Sequence, residues 1–174
     1  RGRALPSKIS LRPVDAAGAI NRPDLGDPYL PEGYTKVAFA PYGHSRLNLA
    51  PAAYDIVVSR GVEYSLWNSI QEGYPSGIQV DAGGASRIEV ILEREVDTTG
   101  FISADLHVHA APSPDSGVPL DTRVVTMACE GVEFLSGTDH DVITDYRPVI
   151  QELGLDAWVQ ASVGIESTTI EVGH

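Results

Sequence analysis

Residues 5–96 show the short alternation of hydrophobic and polar positions that is typical of β structure. Runs rich in Val, Ile, Tyr and Thr are separated by Pro, Gly, Asn and Asp, and no window has a convincing helical period. The segments 54–60 and 88–94 alternate as strands with one wet face do. Short strands at this spacing predict a β-sandwich. The predicted strands are 8–14, 35–40, 53–59, 64–70 and 87–96.

From residue 101 onwards the pattern changes to strands that alternate with helices. Alternation at this spacing favours parallel strands joined by right-handed crossovers. We expect Leu106 and Val108 of the first of these strands to face into packing. The change in pattern predicts two domains, a β-sandwich over residues 1–98 and an α/β domain over residues 99–174. The predicted strands of the second domain are 101–108, 132–136 and 157–165, and its predicted helices are 121–130 and about 145–153.

Residues that favour helix ends support both predicted helices. Asp121 is placed to cap the first helix at its start, and Gly131 follows the last residue of that helix. Pro148 falls in the first turn of the second helix, where a missing N–H costs nothing, and Gly154 ends it. The order strand, helix, strand, helix, strand follows from these signals.

Composition excludes several classes of protein. The chain has 174 residues, 43% of them hydrophobic, with 12 Lys and Arg against 24 Asp and Glu, which is a formal net charge of −12. A chain this acidic is a poor partner for a phosphate backbone, so we expect no nucleic acid. The single Cys129 excludes an intramolecular disulfide. No apolar run approaches the ~18 residues of a membrane span.

The ends of the chain bear on its origin. It starts at Arg1 without a Met and stops at His174, so we expect a piece of a longer polypeptide. The oligomeric state stays open. A periplasmic or secreted location is favoured over a cytoplasmic one.

Histidines and carboxylates gather at the ends of the predicted strands. Four of the five histidines follow residue 100, and three of these lie where a strand gives way to a loop. His107 and His109 are two residues apart on a strand, so both rings can face one side. His140 follows the second strand, and Glu166 ends the third. Asp115 lies in a turn that could fold back over the same site.

This placement predicts a metal site. The carboxyl ends of parallel strands form the functional face of parallel barrels. Imidazole nitrogens and carboxylate oxygens are the ligands that Zn²⁺, Mn²⁺ and Fe²⁺ prefer. His174, eight residues after Glu166, is a further candidate ligand.

Each candidate ligand also has a plain structural explanation. His107 and His109 could be satisfied polar residues on a strand, and Glu166 could be a surface carboxylate. Asp115 belongs to an ordinary turn sequence, and His174 is the terminal residue, where order is least expected. For His140 with Asp139, the plain explanation is a turn that caps the next helix. Residues that can bind a metal fall at the ends of three consecutive predicted strands, and this repeated placement favours the metal site.

The segments that carry this chemistry resemble the motifs of a known family. They are similar to the PHP family (polymerase and histidinol phosphatase), and nearest to its CehA/McbA-like metallohydrolase branch. In that branch a β domain similar to a carboxypeptidase regulatory-like fold often precedes the PHP domain, and residues 59–64 resemble part of it. The segments with the motif resemblance are 104–109, 113–116, 130–141 and 164–166.

The resemblance implies an irregular (β/α)7 barrel, similar to a TIM barrel, whose C-terminal face holds two or three divalent metal ions, Zn, Mn or Fe. His107 and His109 would bind one metal, with Asp115 contributing. His140 would serve another metal, and Glu166 resembles the carboxylate that bridges two metals.

Further residues take roles by the same resemblance. His174 resembles the histidine that follows the bridging glutamate, while Asp105 and Asp139 are expected to orient the rings of neighbouring histidines. PHP domains supply more ligands from later strands, and this chain spans about three of the seven strands. We therefore expect an underligated site, and no activity from this piece alone.

The function implied by the resemblance is metal-dependent hydrolysis of a small-molecule ester. Two metals about 3.5–4 Å apart would activate a water molecule and polarise the substrate oxygen that it attacks. A phosphate ester is the first expected substrate, and a carbamate or amide-type ester is the alternative within the same family. A binding module with a degenerate PHP half is the alternative outside catalysis. The residues expected to form the catalytic centre are His107, His109, His140 and Glu166.

Overall fold

A computed structural model describes residues 3–14 and 36–168. The chain divides into two compact units, Arg1–Asp97 and Thr98–His174. Residue 35 of a predicted strand and the candidate ligand His174 lie outside the described residues. The described part is mostly sheet with two helices. Neither of these helices has the length and apolar character that crossing a membrane requires.

The described strands of the first unit form one antiparallel sheet. The strands are β1 Ser7–Pro13, β2 Lys36–Ala40, β3 Ala52–Ser59, β4 Trp67–Asn68 and β5 Ile78–Val80. Their order in the sheet is β2-β1-β3-β4, and β5 also pairs with β3. The central strand β3 is buried along almost its whole length. One face of the sheet carries an apolar core that includes Leu11, Tyr54, Ile56 and Ile78.

The segment 87–96 differs from the prediction because it does not form a regular strand. It forms an isolated bridge between Tyr64 and Arg94. At this bridge the N–H of Ser65 donates to the Glu93 carbonyl at 2.7 Å, and the N–H of Glu95 donates to the Glu63 carbonyl at 2.8 Å. Ile88, Val90 and Leu92 are partly buried against the core of the sheet. The alternation therefore reflects one partly buried side of a segment with only local pairing. The described strands of this unit form one sheet, so the two sheets of a sandwich are not observed among them.

Two shorter strands also differ from the prediction. The predicted strand 64–70 is reduced to Trp67–Asn68. The strand Ile78–Val80 was not predicted, because three residues are too few to show a period of two.

The second unit contains a three-stranded parallel sheet of order β6-β7-β8. The predicted parallel pairing is confirmed, and the described strands of this unit do not close a barrel. Its core includes Val124 and Ala128 of the first helix, Leu135 of β7 and Ile150 of the second helix. The elements are β6 Ala104–Val108, α1 Leu120–Cys129, β7 Phe134–Gly137, α2 Arg147–Glu152 and β8 Gln160–Ser162.

The helix starts differ from the prediction, and the helix ends agree with it. Pro119 precedes α1 in an extended conformation, so Asp121 lies inside the first turn and does not cap the helix. Helix α2 begins at Arg147, whose N–H donates to the side chain of Asp145 at 3.0 Å. Gly131 and Gly154 follow the helices with positive φ, as a C-terminal glycine does.

Strand β6 is only half packed. Val108 is buried as expected, but Leu106 is 64% exposed, so the prediction for Leu106 is wrong. Strand β6 is an outer strand of the described sheet, and its ladder with β7 shifts register between Asp105 and Val108. No further layer of this unit, as far as it is described, covers the side chain of Leu106.

A close approach between the exits of β7 and β8 requires glycine at position 164. A Cβ on Gly164 would collide with the carbonyl oxygen of Gly137 and lie 3.1 Å from Oγ of Ser136. Because the colliding atom belongs to the backbone, a side chain there must push the two segments apart.

We predict that Gly164→Ala lowers the free energy of unfolding by about 1–3 kcal/mol, in the range of other overpacking changes. Gly117→Ala is the matched control, since a Cβ on Gly117 meets nothing within 4 Å. It should change stability by less than about 0.5 kcal/mol. Urea unfolding followed by circular dichroism measures both changes, and equal effects would contradict the close approach.

Candidate metal centre

Two loops that leave neighbouring strands run side by side at one edge of the parallel sheet. His140, after β7, forms an isolated parallel bridge with Glu166, after β8. The N–H of Asp141 donates to the Glu166 carbonyl at 2.9 Å, and the N–H of Glu166 donates to the Asp139 carbonyl at 3.2 Å. His109 follows β6 directly at the same edge. The three strand exits therefore bring their side chains to one place.

Glu166 lies among the three histidine rings. Its Oε2 atom is 3.0 Å from Nε2 of His107 and 3.0 Å from Nε2 of His109. The same oxygen is 3.7 Å from Nδ1 of His140. The side chain of Glu166 is 22% exposed, whereas that of His107 is 65% exposed. One carboxylate thus faces the imidazoles of strand β6 and of the segments after β6 and β7, with solvent access on the His107 side.

Asp115 supplies a second carboxylate on the other side of His109. Its Oδ1 lies 3.1 Å from Nδ1 of His109, and its Oδ2 lies 3.4 Å from Nε2 of His140. The rings of His107 and His109 stack at 4.9 Å between centroids, and His109 meets His140 edge on at 4.8 Å. The turn that carries Asp115 does fold back over the site, so each ring nitrogen of His109 faces a carboxylate.

The charge of Asp115 is stabilised by its neighbours. A hydrogen bond from the Ser113 hydroxyl, 2.6 Å away, is the main cause that lowers the pKa of Asp115 to about 2. His109 and His140 lower it further, while partial loss of hydration opposes them. Asp115 is therefore an anion at any pH at which a metal site would operate.

Asp105 and Asp139 are expected to orient the rings of neighbouring histidines, but their side chains bind backbone N–H groups instead. Neither carboxylate has a hydrogen bond to a histidine ring among the described residues. Oδ1 of Asp105 accepts the backbone N–H of His107 at 3.1 Å, and Oδ1 of Asp139 accepts the backbone N–H of Ala110 at 2.7 Å. Backbone groups lose their ladder partners where strands end, and these side chains replace those partners.

Two hydroxyl residues that the sequence analysis did not single out contact the site. Oγ of the buried Ser113 lies 3.0 Å from Nδ1 of His109 and accepts the N–H of His140 at 3.2 Å. The Thr168 hydroxyl is hydrogen-bonded to Nδ1 of His140. The backbone N–H of Thr168 donates to Asp141, the described non-glycine residue with positive φ. Ser113 belongs to the motif segment 113–116, and its place two residues before Asp115 allows a local side-chain hydrogen bond.

Among the described residues, two groups of side chains could each hold a cation. Within each group the ligand atoms all lie within 4.8 Å of one another. Each combines two imidazoles with one carboxylate, a donor set that suits Zn²⁺, Fe²⁺ or Mn²⁺. His109 belongs to both groups, and a neutral imidazole offers one lone pair, so His109 can serve one group at a time. The first group consists of His107, His109 and Glu166, and the second consists of His109, Asp115 and His140.

Comparison of the chain with protein-family models, with curated protein sequences and with solved structures gave no match. The resemblance to the PHP family stays a prediction from the motifs.

We predict that the pKa of Asp115 is near 2 in the folded chain and that Ser113→Ala raises it toward the ordinary value of 3.8. A lowered pKa stabilises the fold above pH 3.8, and this contribution disappears as the pH falls toward 2. Carbon NMR of the Asp115 carboxyl group measures the titration directly.

Ser116→Ala is the control for this titration, because the Ser116 hydroxyl donates to the carbonyl of His109 and not to Asp115. It should leave the midpoint unchanged. An unchanged midpoint in Ser113→Ala would show that the Ser113 hydroxyl does not stabilise the carboxylate.

Proposed function

We propose that this chain carries a divalent-metal site of a hydrolase that acts on a small-molecule ester, with a phosphate ester as the first candidate substrate. The observation that carries the proposal is the position of Oε2 of Glu166, 3.0 Å from Nε2 of both His107 and His109. Three side chains from two strand exits converge there without a Lys or Arg among them. Such a set is suited to a cation and is uncommon as a purely structural cluster.

The donor set supports a borderline divalent ion. Two nitrogens and one carboxylate oxygen leave coordination positions free for water or substrate, as catalytic metal sites do. The exposed side of His107 gives a small ester room to approach. A cation held there supplies Lewis-acid polarisation of the ester oxygen and makes water a stronger acid.

The side chains around the cation have distinct tasks in this proposal. His107, His109 and Glu166 hold it, and His140 with Asp115 holds a second one when His109 serves only the first group. Ser113 holds the carboxylate of Asp115 close to the rings of His109 and His140 by a hydrogen bond. The resemblance to the PHP family supports two or three ions, with His174 as a further ligand.

We also propose that the parallel sheet belongs to a larger, TIM-like barrel of the PHP type. The ligand types follow the carboxyl ends of three consecutive parallel strands, which is the arrangement of parallel barrels. Phe101, Leu106 and Ile165 of this unit are between 47% and 80% exposed. Large exposed apolar side chains around a sheet support further layers packed against it.

We predict that the chain binds at least one Zn²⁺ or Mn²⁺ ion per molecule and that Glu166→Gln weakens binding by at least about 100-fold. The loss follows because the amide removes the negative charge that faces both Nε2 atoms. Glu152→Gln, on the exposed surface of α2, is the matched control and should bind as the wild type does. Isothermal titration calorimetry measures affinity and stoichiometry. Fewer than one bound ion per chain would refute the proposal.

Hydrolysis is tested separately on the longest polypeptide that contains this chain. We expect metal-dependent turnover of an aryl phosphomonoester or phosphodiester that is abolished by a chelator and restored by Zn²⁺ or Mn²⁺. An aryl carbamate is assayed in parallel, and turnover of it alone would favour the alternative substrate. Metal binding with no turnover of any of the three would favour a binding module.

A further inference from the structure

The peptide unit between His109 and Ala110 is bound at both of its polar groups by charged side chains. Nε of Arg123 donates to the carbonyl oxygen of His109 at 2.9 Å. Oδ1 of Asp139 accepts the N–H of Ala110 at 2.7 Å. Ala110 and Asp139 are both fully buried. Hydrogen bonds that involve a charged group are about twice as strong as neutral ones, and burial strengthens them further.

The preceding peptide unit is fixed as well. The N–H of Thr138, after β7, donates to the carbonyl oxygen of Val108 at 2.9 Å. The Cα atom of His109 therefore lies between two anchored peptide units, which determines the direction of its Cα–Cβ bond. His109 is the residue that both candidate cation groups share, so its direction affects both.

The two charged residues come from different elements of the fold. Arg123 is in the first turn of α1, and Asp139 lies in the loop after β7. Burial is the main cause that raises the pKa of Tyr146 to about 12, with a smaller contribution from Asp139 that Arg123 opposes, so both charged residues lie near this buried ring. Oδ2 of Asp139 has no hydrogen-bond partner among the described residues, so the bond to Ala110 is the contact observed for this carboxylate.

We propose that Arg123 and Asp139 are positioning residues that form a peptide clamp, the pair of hydrogen bonds to the His109–Ala110 peptide unit, and that this clamp aims the His109 ring at the cation. The inference rests on the proposed function for its effect on metal binding. Neither residue contacts the cation in this proposal. Their effect passes through the backbone of His109, as outer-shell partners of metal ligands act.

Variants of Arg123 test the helix side of the clamp. Arg123→Met keeps the apolar stem and removes the donor, whereas Arg123→Gln retains an N–H donor at the same distance along the side chain. With Co²⁺ as the probe, followed by its visible absorption, we expect Arg123→Met to weaken binding at least about tenfold. Arg123→Gln should stay within about threefold of the wild type. Arg147→Met, whose partner is the exposed Asp145, controls for loss of an arginine.

Variants of Asp139 test the strand side. Asp139→Ala removes the acceptor and should weaken Co²⁺ binding at least about tenfold. Asp139→Asn retains an oxygen for the N–H of Ala110 and should restore most of the affinity. Circular dichroism confirms that each variant is folded. Wild-type affinity in both Arg123→Met and Asp139→Ala would overturn the proposal.

A measurement without metal separates the clamp from the proposed function. Amide hydrogen exchange of Ala110 should be faster in Asp139→Ala than in Asp139→Asn or the wild type. The ring signals of His109 should shift in Arg123→Met, while those of His44 in the other unit stay constant. Unchanged His109 signals would refute the clamp even if Co²⁺ binds. A wild type that binds no Co²⁺ but shows these changes would refute the metal site and retain the clamp.

Discussion

The pairing of the loop after β7 with the loop after β8 is the interaction on which the candidate metal centre depends. Backbone hydrogen bonds of 2.9 and 3.2 Å join Glu166 to Asp141 and Asp139. They bring the Glu166 carboxylate to His107 of β6 and to His109 directly after it. The pairing needs glycine at position 164, because a side chain there would collide with the carbonyl of Gly137. Gly137 and Gly164 have no side chain that could bind a metal, yet their close approach determines where the ligands meet.

Electrostatics explains why such a cluster is suited to a cation. The ion-pair partners of Asp115 are His109 and His140, and neither is permanently charged as Lys or Arg would be. The hydrogen bond from the Ser113 hydroxyl lowers the pKa of Asp115 from 3.8 to about 2, so its carboxylate stays negative even in mild acid. Negative charge therefore lies beside the two imidazole rings. A divalent ion would offset part of the net charge of −12, which is not concentrated in any acidic run.

Most of what could be predicted from the sequence comes from the period of its hydrophobic positions and from where ligand-type residues fall relative to the strand ends. Alternation over 54–60 predicts the strand β3 correctly, but its predicted wet face is wrong because β3 is buried on both faces. The positions of ligand-type residues at three strand ends predict that Glu166 meets the histidines. The same alternation over 88–94 predicts a strand that is absent, because burial of one side does not require a ladder. The contact of Asp139 with a backbone N–H and the place of Ser113 depend on loop geometry, for which the sequence has no periodic signal.

Locating a bound metal ion and identifying its ligands is the most direct test of the candidate metal centre. Crystals of the chain grown with Zn²⁺ and measured at the zinc absorption edge would locate the ion by anomalous scattering. We expect a peak about 2.0–2.2 Å from Nε2 of His107 and His109 and from a carboxylate oxygen of Glu166. No peak at this position, or a peak bound only by other residues, would contradict a metal centre at these strand ends.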